Sequence, residues 1–188
     1  MKLFSFQKLI WFVLGIGLFA SCSGDPNQRK TRYLKAGERY FKSGKYREAV
    51  IEFRNAVEVD PRSAEAHYQL GRVYLTLKNP ESAYRELTAS TALDPSNLDA
   101  QLQLAGLLIS RRQYAEAQAL AQKVLERDPH NARAHSLLGQ KNIVTGNLPD
   151  AVLEFQQAVE LDSRQVENYS ALGAVYLAQG QASPAEAV

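Results

Sequence analysis

Residues 64–97 read AEAHYQLGRVYLTLKNPESAYRELTASTALDPSN, and residues 98–131, LDAQLQLAGLLISRRQYAEAQALAQKVLERDPHN, repeat their pattern of small, large and turn residues at an offset of 34. The same register extends both ways, giving units 30–63, 64–97, 98–131 and 132–165 and a partial fifth, 166–188. Asp60-Pro61, Asp94-Pro95 and Asp128-Pro129 punctuate the units, with Asp162-Ser163 as a degenerate fourth member. Proline lacks an amide hydrogen and disfavours helix at the residue before it, so each pair ends one helix and precedes another. Ser63, Asn97 and Asn131 stand two residues beyond those prolines, suited to cap the next helix.

Each unit therefore reads as two helices. Ala36-Gly37, Leu70-Gly71, Leu104-Ala105, Leu138-Gly139 and Leu172-Gly173 fall in the first, and Ala49, Ala83, Ala117, Ala151 and Ala185 in the second. Small residues at those places allow close helix approach. Tyr40, Tyr74, Leu108 and Tyr176, with Phe53, Leu87, Ala121 and Phe155, are the residues expected to fill the space between units. Between the two helices come Ser43-Gly44, Lys78-Asn79, Arg111-Arg112, Thr145-Gly146 and Gln179-Gly180, where a glycine past a helix end supplies a left-handed cap.

This pattern resembles the tetratricopeptide repeat over residues 30–188. The resemblance implies an all-α, right-handed superhelical solenoid of antiparallel helix pairs, with four full repeats and a truncated fifth. Single units of this kind cannot bury their apolar faces, so stacking supplies the core. The fifth unit stops 11 residues short of a full period at Val188, and a longer repeat protein is expected.

The resemblance also implies that first helices line a concave groove, at the second, fifth, ninth and twelfth places of each unit. Those are Thr31, Leu34, Glu38 and Phe41; Glu65, Tyr68, Arg72 and Leu75; Asp99, Leu102, Gly106 and Ile109; Arg133, Ser136, Gln140 and Ile143. Aliphatic and aromatic side chains mixed with isolated charges suit an extended or helical peptide with apolar anchors. Family members that act as cochaperones grip a terminal carboxylate with a Lys and Asn clamp. Leu34, Glu38, Tyr68 and Arg72 at the matching places assemble no such clamp.

The amino-terminal residues carry a different signal. Lys2 and Lys8 precede an apolar run, Leu9 to Ala20, and small residues follow at the break, so 1–21 reads as a secretory signal. Twelve residues of helix reach only about 18 Å, short of a hydrocarbon core of about 30 Å. Leu18-Phe19-Ala20-Ser21-Cys22 resembles the bacterial lipobox, with Phe19 where leucine is usual. That resemblance implies a diacylglycerol thioether on Cys22, a membrane anchor, and, with Ser23 next, the periplasmic face of an outer membrane. Ser23 to Gln28 is polar and rich in breakers, and residues 22–29 read as a flexible tether.

Composition narrows the function classes. Apolar residues make up 45% and charged residues 22%, as in ordinary globular chains. Without the first 21 residues the chain holds 20 basic and 20 acidic residues, which leaves no basic stripe and makes nucleic acid a poor partner. One cysteine excludes an internal disulfide and any multi-cysteine metal site. His67 and His135 occupy the same repeat place and His130 lies in a turn, so all three read as structural. With no phosphate loop, nucleophile motif or metal spacing, no catalysis, cofactor or small-molecule substrate is expected.

A tethered scaffold for a protein or peptide partner is the resulting expectation. The stretches Cys22 to Asp25 and Tyr40 to Ala49 resemble lipoproteins of exosortase (PEP-CTERM) and exopolysaccharide systems. A pilotin-like lipoprotein of type IV pilus secretin assembly is one alternative, and the docking array of a longer enzyme is another.

Overall fold

Asp25 opens the first helix: its side chain accepts a hydrogen bond from the amide of Asn27, and Pro26 takes the first helical position, where no amide donor is needed. The computed structural model describes residues 25–180, and among these every regular element is a helix. In order they are α1 (Pro26–Lys42), α2 (Tyr46–Val59), α3 (Ala64–Thr76), α4 (Pro80–Leu93), α5 (Leu98–Ser110), α6 (Tyr114–Arg127), α7 (Ala132–Val144), α8 (Leu148–Leu161) and α9 (Val166–Ala178). Helix α1 corrects the expected tether, since residues 26–29 form its first turn. The breaker Pro26 starts a helix there because Asp25 caps it. Cys22, the signal segment 1–21 and Ala185 lie outside the described residues.

The chain divides between Ser63 and Ala64 into two units. In the first, α1 and α2 form one hairpin. Gly37 is its close-approach point: a methyl group there would stand 2.6–2.8 Å from three ring atoms of Phe53, which is fully buried. Lys30 ties the open end of the hairpin by donating to Asp60 at 2.7 Å.

In the second unit, α3–α4, α5–α6 and α7–α8 pair as hairpins and α9 packs on α8. Gly71 faces Leu87 and Gly139 faces Phe155, again with no room for a methyl group. Where the third repeat has Ala105 in place of glycine, the residue sixteen positions later is Ala121. The volume added on one helix is thus removed from the other. Leu87, Leu104, Leu107 and Leu108 form one core cluster with Ala83 and Ala117, and Phe155, Leu172 and Val175 form another with Ala151. Burying side chains of this size stabilises by about 1.5–3 kcal/mol each, which is what holds the stacked pairs together.

The hairpin turns share one construction. Lys45, Asn79, Gln113 and Asn147 each donate their amide to the carbonyl five residues back, at 2.9 Å, in Tyr40, Tyr74, Leu108 and Asn142. That bond requires a left-handed residue just before the donor. Gly44 and Gly146 supply it at φ of 73° and 79°, but Lys78 and Arg112 adopt it too, at 55° and 61°; Gly180, past the end of α9, is also left-handed, at 74°. Asn97 and Asn131 cap α5 and α7 as expected, with Asn79 and Asn147 doing the same for α4 and α8. At the joints between hairpins, Asp60, Asp94 and Asp162 each accept from the amide two residues on. The aspartates therefore shape the turn with their side chains, beyond the helix-ending effect of the prolines.

Candidate functional site

The first helices of the second unit, α3, α5 and α7, carry the candidate residues Tyr68, Arg72, Leu75, Leu102, Ile109, Arg133, Gln140 and Ile143. Helix α5 contacts α7 directly, and Tyr68 and Leu75 of α3 pack with Ile109 of α5 against the core beneath. The twelfth place of each repeat falls in the last turn of its helix, so Leu75, Ile109 and Ile143 form an aliphatic row with one member per repeat. Leu75 and Ile109 are half-buried, while Ile143 is 36% exposed.

Beside this row lies a polar network. Along α3, Arg72 donates to Gln69 and Gln69 donates to Glu65, both at 2.5 Å. The Arg72 guanidinium also sits 5.6 Å from the centre of the Tyr68 ring. Across repeats, Arg133 of α7 donates to Asp99 of α5 at 2.6 Å, the two residues standing at the same place of consecutive units. Burial raises the Tyr68 hydroxyl above its ordinary value, and the negative charge of Asp99 pushes the same way. Arg72 and Arg133 oppose that shift, so side chains from three successive first helices share one electrostatic neighbourhood.

Leu102 does not belong to the open face. It is 2% exposed, in a cluster with Val124 and Ala134 that Leu98, Leu125 and Leu137 flank. Ala134 and Leu137 of α7 pack into that cluster, and Leu137 also reaches within 3.4 Å of where a methyl group at Gly106 would stand, so α7 lies over this part of α5 and covers Leu102. Ser136, the same place one repeat on, is buried as well. Gln140 is exposed and stands near Ser136, its amide 3.4 Å from the hydroxyl. Leu34, Glu38 and Phe41 lie on α1 in the first unit, all half-buried; Glu38 pairs with Lys42 at 3.5 Å and Phe41 meets Tyr46 edge-on at 5.5 Å. Cys22, the candidate lipidation residue, lies outside the described residues.

The histidines at the shared repeat place are tied into the fold. His67 meets Glu86 at 2.7 Å and His135 meets Glu154 at 2.8 Å, each pair linking the two helices of its hairpin across nineteen residues. Sequence reasoning missed both glutamates and the Asp99–Arg133 pair, although each sits at a fixed repeat offset. It also missed Gln101, 1% exposed, which donates to the Pro95 carbonyl at 2.7 Å and holds the joint before α5. A further correction concerns charge. Overall balance conceals α1, which bears Arg29, Lys30, Arg32, Lys35, Arg39 and Lys42 against Glu38 alone.

The family model described as the cytochrome c-type biogenesis protein H TPR domain matches residues 27–169. The type IV pilus assembly protein PilF of Pseudomonas aeruginosa is 36% identical over 92 residues, which is 42% of this chain and 36% of that protein. The chain thus matches about a third of that relative's length. Among solved structures, MamA from Desulfovibrio magneticus RS-1 superposes with a TM-score of 0.76 at 23% identity, over 87% of this chain and 90% of MamA. YrrB, a TPR protein with an unusual peptide-binding site, superposes with a TM-score of 0.66 at 20% identity, over 81% of this chain and 79% of YrrB.

Proposed function

Since this chain belongs to the tetratricopeptide-repeat family of the cytochrome c-type biogenesis protein H TPR domain, we propose that it is a non-enzymatic scaffold holding a segment of a partner protein on the α3, α5 and α7 face. The observation that carries this is the alignment, across three consecutive repeats, of the Leu75, Ile109 and Ile143 row with the Tyr68, Arg72, Asp99 and Arg133 network. Regularly spaced apolar anchors flanked by charges suit a peptide in extended or helical form. The peptide-binding site of YrrB supports the same kind of partner. A photo-crosslinking residue in place of the exposed Gln140 tests it. Crosslinks to a discrete protein are expected, and Tyr68→Ala with Arg72→Ala is expected to abolish them without loss of helix. Crosslinking that survives the double substitution refutes the assignment of this face.

The scaffold is tethered to the periplasmic face of the outer membrane by acylated Cys22, on the strength of the lipobox-like 18–22 stretch. Two or three acyl chains, at about 0.8 kcal/mol per buried methylene, hold a protein stably where one does not. Cys22→Ala is expected to release the chain to the soluble fraction and to end acyl labelling; an unchanged, detergent-requiring variant refutes the anchor.

Of the envelope roles suggested by sequence, a pilotin-like part in type IV pilus assembly gains support from the 36% identity to PilF. The exopolysaccharide reading rests on residues 22–25 and 40–49. Deleting the gene separates them: loss of surface pili with normal exopolysaccharide supports the first, and the reverse supports the second.

A further inference from the structure

We propose that the exposed basic stripe of α1, formed by Arg32, Lys35 and Arg39, docks on anionic phospholipid headgroups and lays the first unit against the membrane, a proposal that rests on the Cys22 anchor. At 100° per residue these three side chains and Gln28 fall within about 60° of one another around the helix. All four are exposed, and they lie opposite Gly37, the point at which α1 packs on Phe53. Elsewhere on α1, Lys30 donates to Asp60 and Lys42 pairs with Glu38, while Arg32 lies 5.5 Å from the centre of the neighbouring Tyr33 ring. Among the described residues no carboxylate pairs with Arg32, Lys35 or Arg39. The stripe also stands apart from Leu34, Glu38 and Phe41, which are half-buried on an adjacent face.

Position selects the occupant. Asp25, the cap of α1, follows Cys22 by three residues, and three residues span at most about 11 Å. The stripe begins within two helical turns of that cap. An acyl chain on Cys22 therefore keeps these cations within reach of the headgroups, where a negative surface potential attracts them over about one Debye length. Each basic side chain at such a surface raises the docked population roughly fivefold, so three together contribute about a hundredfold. A single helix with three such side chains suits a diffuse sheet of negative charge. A nucleic acid would require access to a surface that the anchor holds at the bilayer.

The test uses the full acylated chain carrying Gln28→Cys labelled with a small fluorophore, reconstituted in vesicles that contain nitroxide-headgroup lipid as a contact quencher. Phosphatidylcholine vesicles are compared with vesicles holding about 30 mol% phosphatidylglycerol, at low salt and at about 0.5 M salt, where screening shortens to a few ångströms. Quenching is expected to rise severalfold with phosphatidylglycerol, to vanish at high salt, and to be absent in the Arg32→Glu, Lys35→Glu, Arg39→Glu variant, which still floats with both kinds of vesicle. Equal quenching in the two lipids, or quenching that persists in the reversed variant, overturns the proposal. Binding of a short DNA duplex without any response to phosphatidylglycerol overturns it in favour of nucleic acid. A wild-type chain that fails to float with phosphatidylcholine refutes the anchor instead. The stripe then stands if phosphatidylglycerol vesicles alone recruit the chain and the reversal abolishes that recruitment, and falls if they do not.

Discussion

Replacing Gly139 by alanine is expected to destabilise the protein, and replacing Phe155 by alanine at the same time is expected to remove that penalty. A methyl group at Gly139 would stand 2.8 Å from one ring carbon of Phe155 and 2.9 Å from two others. The favourable separation of carbon atoms is about 3.5–4.0 Å, so the overlap approaches an ångström. Phe155 is 1% exposed and the ring has little room to retreat. Overpacking of this kind costs about 1–3 kcal/mol, against which alanine in a helix gains about 0.8–1.0 kcal/mol over glycine, leaving a net loss near 1 kcal/mol. Phe155→Ala alone is expected to cost about 3–5 kcal/mol. In the double variant the overlap disappears while the helical gain remains, so its cost falls below the sum by about 1–3 kcal/mol. The Ala105 and Ala121 pair in the third repeat is that double variant already built into the chain. Urea unfolding followed by far-UV circular dichroism measures all three, provided the slope stays constant. Gly106→Ala is the control, because its nearest contact, Leu137 at 3.4 Å, allows a methyl group and the change should be neutral or stabilising. Losses that add to within about 0.5 kcal/mol refute the close-approach account.

Lys78→Gly and Arg112→Gly are expected to stabilise by about 0.5–1 kcal/mol each, since both side chains are held at positive φ and both residues are exposed, whereas Gly146→Ala should destabilise by a similar amount; urea midpoints check the sign. Asp60, Asp94 and Asp162 titrate below the ordinary carboxylate value, chiefly through side-chain hydrogen bonds from Lys30, Ser96 and Gln165 respectively. Their contribution is therefore complete above an unfolded pKa of about 3.9 and is lost as pH falls through the lowered folded values, so replacing all three by asparagine should flatten the acid limb below about pH 4. An unchanged limb in that variant refutes the assignment. The Asp99–Arg133 pair is exposed on both sides and should contribute no more than about 1 kcal/mol in a double-mutant cycle on stability; a larger value would make it a structural clamp rather than part of a binding face.

Much of the fold was legible because its signals are local. Proline after aspartate, asparagine before a helix and glycine after one each act through backbone geometry within a few residues, and the 34-residue period brings them back in register. The facing pairs were legible only in part: the period marks the small residues as points of close helix approach, but it suggests Phe53, Leu87 and Phe155 for the space between units, whereas they stand against Gly37, Gly71 and Gly139 of their own hairpins. The candidate face was less so. Leu102 and Ile109 look alike in sequence, yet α7 covers the first and leaves the second half-buried. No residue near Leu102 in the chain announces that, because the covering side chains come from thirty or so positions further on.

The sequence by itself determined the repeat, the helices and the turns between them, because those depend on propensities and backbone restrictions carried by neighbouring residues. Tertiary structure alone decided which side chains remain available. It buried Leu102, joined Asp99 to Arg133 and His67 to Glu86, and left Arg32, Lys35 and Arg39 without an acidic partner among the described residues. Exposure and pairing are set by atoms that approach from other helices, and that distance in the chain is what composition and period cannot convey.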